Sequence, residues 1–194
     1  MTLAEVLECV RMELSRQGAR FALIGGLAVS ARSEPRFTRD IDMAVAVVDD
    51  REAEARVRAL VSAGFTIDST MEQTAAQRLA TVRLWPPGRA GGLVDLLFAS
   101  SGIEPEIVER AELIEVLPGV IAPVASTGDL IALKLLARDD VDRAQDGLDL
   151  RALARVASSA DWAVAAEACG EIVERGFHRG RDLGALLEGL RRPS

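Results

Sequence analysis

The sequence is poor in the residues that hold transition metals. It contains one histidine in 194 residues, and its two cysteines, Cys9 and Cys169, lie far apart in segments that predict helices. Neither the count nor the spacing matches a zinc site. We therefore expect two free, buried thiols and no structural zinc.

Long apolar runs are also lacking. No stretch approaches the length that a membrane-spanning helix needs. The first residues, MTLAEVLECVRMEL, form an amphipathic pattern that includes acids, which does not match a secretory signal peptide. The sequence therefore predicts a cytoplasmic protein that does not engage a membrane.

An excess of positive charge is absent as well. The formal net charge is −7, so a broad nucleic-acid footprint is not expected, although a local basic groove is compatible with it. Hydrophobic residues make up 49% of the chain and charged residues 27%, which is ordinary for a globular protein with a real core.

The apolar pattern divides the chain into two parts. Residues 1–125 alternate between predicted helices and strands, whereas residues 126–194 predict helices only. We expect an α+β fold, with a small mixed β-sheet and flanking helices, followed by a C-terminal helical region. The predicted domains are 1–125, an α/β domain, and 126–194, a helical domain.

One stretch combines glycines with acids. Gly25 and Gly26 directly follow a short apolar strand, and Asp40 and Asp42 lie two residues apart on the next predicted strand. Side chains two apart on a strand face the same side, so both carboxylates share one face. Because glycine has no Cβ, the backbone N–H groups at the turn can approach phosphate oxygens closely.

A third acid, Asp95, lies inside a later apolar strand. A carboxylate in such a strand is costly to bury unless a positive group meets it. If Asp95 faces Asp40 and Asp42, the three carboxylates suit one or two Mg²⁺ ions, which prefer oxygen ligands. The alternative is three exposed acids at strand ends.

These motifs resemble those of the DNA polymerase β-like superfamily of nucleotidyltransferases, over about residues 20–155. The resemblance implies the nucleotidyltransferase fold in the first domain, an NTP substrate, and Mg²⁺ or Mn²⁺ bound by Asp40, Asp42 and Asp95. Asp95 would also take the proton of the acceptor hydroxyl. Gly25 and Gly26 would position the triphosphate, and Thr38 and Arg39 would touch phosphate or acceptor.

A second segment, LKLLARDDVDRAQDGLDLRAL (133–153), resembles the KLxAxxR…DxxDL region of AbiEii-type nucleotidyltransferases, many of them toxins of toxin–antitoxin pairs. The resemblance implies that Lys134 contacts the phosphates and that Asp146 and Asp149 close the site from the helical side. Arg138 lies on the same helical face as Lys134. Lys134 is the single lysine among 23 basic residues. A solvated helix surface is the alternative for Lys134, Asp146 and Asp149.

The identity of the acceptor is left open by the sequence. A tRNA 3′ end, a protein hydroxyl and the hydroxyl of an aminoglycoside-like small molecule all suit the chemistry. The acidic net charge favours a cationic small molecule, whereas the AbiEii-like motifs and an arginine-rich C-terminus favour RNA and a cognate antitoxin as partner. A different class of function is a catalytically idle copy of the fold that binds a partner.

Overall fold

The protein is described by a computed structural model, which covers residues 1–74, 76–89, 91–137 and 144–191. Within these residues the strands form one mixed sheet in the order β3-β4-β5-β2-β1-β7-β6. The strands are β1 (Arg20–Ile24), β2 (Ile41–Ala46), β3 (Thr66–Gln73), β4 (Arg78–Trp85), β5 (Val94–Leu97), β6 (Glu112–Leu117) and β7 (Val120–Val124). The pairs β2–β5 and β1–β7 are parallel, and the other neighbours are antiparallel.

Helices flank this sheet and make up the C-terminal part of the described chain. They are α1 (Leu3–Arg16), α2 (Gly25–Arg32), α3 (Asp50–Ser62), α4 (Glu104–Glu109), α5 (Thr127–Ala137), α6 (Ala144–Val156), α7 (Ser159–Glu174) and α8 (Leu183–Arg191). No helix in the described ranges is long and apolar enough to cross a membrane.

The central strands owe their position to their composition. β1 is buried from Phe21 to Ile24, and β2 is buried at every residue except Asp42. Strands covered on both faces contain near-continuous apolar runs. Asp42 is thus the one acid within β2, and the fold leaves it half-buried rather than sealed in the core.

The predicted α+β class with a small mixed sheet and a following set of helices is confirmed. The structure corrects two local predictions from the sequence. The stretch AELIEVLPGVIAPVAS (111–126), whose pattern predicts one strand-like segment, contains a hairpin of β6 and β7, with Gly119 at a φ of 78° in the turn. The pattern also predicts a helix over LAVSARS (27–33) after a glycine turn, whereas α2 begins at Gly25 itself.

Helix α4 is absent from the sequence-based prediction because a buried side chain creates its start. Glu104, 2% exposed, accepts hydrogen bonds from the backbone N–H groups of Ser100, Ser101 and Gly102.

The division into domains 1–125 and 126–194 stays a prediction. Arg138 lies outside the described residues.

A buried ion pair anchors α5, the helix that carries Lys134. Asp129 is fully buried; its Oδ1 lies 2.7 Å from Arg110 Nη2, and its Oδ2 accepts a 2.7 Å hydrogen bond from Ser126 Oγ. Arg110 follows α4, so the pair ties α5 to the chain beyond β5.

We expect Asp129→Ala to lower the free energy of unfolding by about 3 kcal/mol, because it leaves a largely buried guanidinium without its partner. Denaturant unfolding measures the loss. The control is Glu54→Ala, which breaks an exposed pair with Arg58 and should cost less than about 1 kcal/mol. Equal losses in the two variants would contradict the anchoring role.

Candidate active site

Two carboxylates stand side by side at the floor of a cleft. β2 and β5 run parallel with Asp42 directly opposite Asp95. Paired positions on neighbouring strands project to the same face of a sheet, so the two side chains are neighbours. Asp95 is 6% exposed, and both residues line a cleft of about 520 Å³. This volume is typical of small-molecule sites.

The Asp42 carboxyl is held in an environment that disfavours its charge. The pKa of Asp42 is raised to about 6, chiefly by burial of the carboxyl and then by the negative charges of Asp95 and Asp40. The charge of Lys134 and a hydrogen bond from the Gly26 backbone act in the opposite direction without cancelling the effect. The site therefore carries surplus negative charge.

The glycine pair makes room for the protein's own side chains. Gly25 has a φ of 64°, and a Cβ built on it would lie 2.0 Å from Asp42 Oδ2. A Cβ on Gly26 would lie 2.4 Å from Arg36 Nη2 and 2.9 Å from Thr38 Oγ1. Close approach of backbone to phosphate, the reason predicted from the sequence, stays a prediction; the contact visible in the fold is with Asp42 and Arg36.

A cluster of charges forms the opposite wall of the cleft. Lys134 Nζ lies 2.7 Å from Asp146 Oδ1 and 2.8 Å from Asp149 Oδ2. Asp149 is 1% exposed and also pairs with Arg36, whose Nε is 2.8 Å from Asp149 Oδ1. Burial alone would raise the pKa of Asp149, but hydrogen bonds from Lys134 and Gln145 outweigh it and lower the pKa.

Asp146 and Asp149 are thus both buried and paired, which excludes a solvated helix face for them. Lys134 is likewise largely buried, with 14% of its side chain exposed. Sequence reasoning predicted these three residues for the helical side of the site, and the fold brings them to the cleft or directly behind it.

Two arginines of the site were not identified from the sequence. Arg83 on β4 lies opposite Asp95 and donates two hydrogen bonds to it, from Nε to Oδ1 at 2.8 Å and from Nη2 to Oδ2 at 2.7 Å. The available signal was a charge inside the apolar strand RLATVRLW, the same signal that identified Asp95. Arg36 lies in the loop before β2, where no pattern distinguished it.

Three predicted residues lie at the edge of this arrangement. Asp40 precedes β2 and its Oδ1 accepts a long, 3.4 Å hydrogen bond from the Leu93 backbone. Thr38 lies near Gly26, beneath the first turn of α2. Arg39 is exposed, and its guanidinium stacks on the Phe37 ring at 5.3 Å. None of the three is among the residues that line the cleft.

The donor chemistry of the site fits a hard divalent cation. The acids at the cleft floor offer oxygen ligands only, and burial together with the charges of Asp95 and Asp40 disfavours the charged form of Asp42, which a bound cation would stabilise. Within the described residues, however, no three acidic, histidine or cysteine side chains are already gathered as a metal site. Each oxygen of Asp95 accepts one N–H of Arg83 and keeps a second lone pair.

Similar folds are known among solved structures. An antigenic nucleotidyltransferase-like protein from Paracoccidioides brasiliensis matches with a TM-score of 0.54 and 17% identity, over 96% of this chain and 92% of that one. The lincosamide antibiotic adenylyltransferase LnuA, bound to lincomycin, matches with a TM-score of 0.51 and 15% identity, over 79% of this chain and 97% of that one. ANT(2″)-Ia in complex with adenylyl-2″-tobramycin matches with a TM-score of 0.51 and 12% identity, over 97% of this chain and 96% of that one.

A comparison with curated proteins gave no match. The mixed sheet and the structural neighbours define the class: the chain has the nucleotidyltransferase fold. The family model of the nucleotidyltransferase AbiEii toxin of type IV toxin–antitoxin systems matches residues 7–192. The chain therefore belongs to the AbiEii family and is a nucleotidyltransferase.

We expect Gly25→Ala to be more destabilising than Gly119→Ala. Both glycines have positive φ, so alanine costs each about 1–2 kcal/mol of backbone strain. A Cβ at Gly119 meets nothing within 4 Å, whereas at Gly25 it collides with Asp42. Overpacking adds about 1–3 kcal/mol there. Denaturant unfolding compares the two, and equal losses would contradict the close fit of Gly25 to Asp42.

The raised pKa of Asp42 makes stability pH-dependent. Between the ordinary value of 3.8 and about 6, the folded chain binds more protons than the unfolded chain, so this residue's contribution to stability falls as the pH rises through that window. Asp42→Asn removes the effect, so its stability relative to wild type should increase from pH 4 to pH 7. At about 1.4 kcal/mol per pKa unit, the gain is no more than about 3 kcal/mol. Urea unfolding in EDTA measures it, and a difference that does not change with pH would refute the assignment.

Proposed function

We propose that this enzyme transfers a nucleoside monophosphate from an NTP to an acceptor hydroxyl, with Mg²⁺ or Mn²⁺ as cofactor. The observation that carries the proposal is the pairing of Asp42 and Asp95 across neighbouring strands, directly against the start of α2. Carboxylates and a helix N-terminus in one cleft match the two needs of this chemistry, which are cation binding and anion binding.

The nucleotide would lie between α2 and α5. The first turn of α2 supplies backbone N–H groups and the positive end of the helix dipole for the triphosphate. Lys134 adds positive charge from the opposite wall. An ammonium group has three N–H donors, of which Asp146 and Asp149 engage two, so one remains for a phosphate oxygen.

Asp40, Asp42 and Asp95 would hold the divalent cation, which would neutralise the phosphates and activate the acceptor oxygen. Asp95 would accept the proton of the acceptor hydroxyl while the hydroxyl oxygen bonds to the α-phosphorus. The bond from the α-phosphorus to the bridging oxygen then breaks, and that oxygen leaves with pyrophosphate.

RNA is the acceptor that we favour, in a toxin–antitoxin setting with a cognate antitoxin as partner. Membership of a toxin family supports this choice. Local charge supports it too, because Arg83 and Arg179 both line the cleft on the side of β4 and β5. Arg179 also donates hydrogen bonds to Ser100, directly after β5. Phosphate contacts from arginines position nucleic acid without a broad basic surface.

A small cationic acceptor is the second candidate. The formal net charge of −7 favours it, and Glu72 of β3 lines the cleft. Two proteins of the same fold carry names that refer to antibiotics, a lincosamide adenylyltransferase and ANT(2″)-Ia with adenylyl-tobramycin. Their likeness to this chain concerns the fold, so the acceptor must be decided by assay.

We expect label from α-³²P-NTPs to appear in cellular RNA when Mg²⁺ or Mn²⁺ is present. Asp42→Asn should lower the rate at least about 100-fold, because a ligand and charge at the reacting centre are removed. The matched control is Asp68→Asn, an exposed residue on β3 whose carboxylate accepts a hydrogen bond from Trp85, and it should retain full activity.

The acceptor is tested in parallel reactions with RNA, a protein extract and an aminoglycoside such as tobramycin. Label in RNA alone supports the favoured acceptor, and label in tobramycin alone replaces it with the second candidate. No metal-dependent transfer to any of these acceptors, with each NTP tested, would overturn the proposed reaction.

A further inference from the structure

Three charged residues form a row across adjacent strands at the cleft floor. Arg83 on β4 is opposite Asp95 on β5, and Asp95 is opposite Asp42 on β2. Residues that are paired across neighbouring strands project to one face, so the arginine flanks Asp95 on one side and Asp42 flanks it on the other. All three line the cleft.

Arg83 engages Asp95 through a complete fork. Its Nε and Nη2 donate to Oδ1 and Oδ2 at 2.8 Å and 2.7 Å, so each oxygen of Asp95 accepts one N–H of the same guanidinium. Bidentate pairs of this kind are the strongest charge-assisted hydrogen bonds in proteins. The Asp95 side chain is 9% exposed, whereas that of Arg83 is 38% exposed. The arginine is therefore the more exposed partner of the pair, and the aspartate the more buried one.

A guanidinium and a divalent cation compete for the same carboxylate. The fork uses one lone pair on each oxygen of Asp95 and leaves the other, so the competition is electrostatic: the guanidinium and the cation repel each other at one carboxylate.

We propose that Arg83 is a positioning residue that weakens the metal site by pairing with Asp95, so that a divalent cation binds less tightly while the fork is formed. This inference rests on the proposed function, because it takes Asp42 and Asp95 as metal ligands. The affinity of the site for a divalent cation is therefore low as long as Arg83 is paired with Asp95. The free energy of the fork is lost from the affinity of the cation, as linkage between two competing ligands requires.

The experiment measures binding of Mn²⁺ alone, without nucleotide, from the electron paramagnetic resonance signal of the free ion. Arg83→Gln should bind Mn²⁺ on the order of tenfold more tightly than wild type, because no cation competes for Asp95. Arg83→Lys keeps the charge and loses the fork, so its affinity should be intermediate. The matched control, Arg78→Gln, breaks another ion pair of β4 with Asp50, outside the cleft, and should leave Mn²⁺ affinity unchanged.

The direction of the change separates this role from a structural one. Loss of a merely structural ion pair would weaken Mn²⁺ binding or leave it unchanged. The inference is overturned if both Arg83→Gln and Arg83→Lys show no increase in Mn²⁺ affinity. The gain in Mn²⁺ affinity must also vanish in the double variant Arg83→Gln with Asp95→Asn, because this variant lacks the Asp95 carboxylate for which Arg83 and the cation compete.

Failure of the inference is distinguishable from failure of the proposed function. If Asp42→Asn weakens Mn²⁺ binding and the Arg83 variants do not strengthen it, the metal site stands and the competition is refuted. If neither wild type nor Arg83→Gln binds Mn²⁺ in a manner that depends on Asp42, the metal site and the inference are both wrong.

Discussion

The repulsion between carboxylates placed on neighbouring strands is the constraint on which this site depends. Asp42 and Asp95 are held opposite each other by the β2–β5 register, with Asp40 close enough to add its charge. The protein offsets this cost unevenly, because Arg83 binds Asp95 through both oxygens while Asp42 receives only a backbone hydrogen bond and the charge of Lys134. The result is one acid in an ion pair beside one acid whose pKa is raised to about 6. A structure that served stability alone would not retain such an imbalance at the floor of an open cleft.

Tight packing of backbone against charge gives the site its precision. Gly25 adopts a positive φ and leaves no space between its α-carbon and the Asp42 carboxylate, and Gly26 is equally close to Arg36. The same two residues begin α2, so the helix N-terminus and the acid pair have a fixed relation. Anion and cation sites are thereby built from one short segment of chain.

The helices that follow the sheet are part of the cleft. Asp149 of α6 accepts one hydrogen bond from Arg36, which precedes β2, and pairs with Lys134 of α5. One buried carboxylate therefore joins three segments that are distant in sequence. The Arg110–Asp129 pair adds a second link, from the residue after α4 to the first turn of α5. Because Lys134 is positioned by these ion pairs, the charge that faces the aspartates is set by the helical part of the chain.

The sequence by itself determined the α+β class and the strands that carry Asp42 and Asp95, because apolar periodicity, glycine pairs and acids in apolar strands are local signals. It also predicted Asp40 and, from a family resemblance, Lys134; the fold brings Lys134 to the cleft and leaves Asp40 at its edge. Only the tertiary structure decided which charges meet. The partnership of Arg83 with Asp95, the approach of Arg36 to Asp149 and the start of α4 at Glu104 all depend on strand register or on contacts between segments remote in sequence. Such contacts leave no periodic trace along the chain, since each partner alone is an ordinary charged residue.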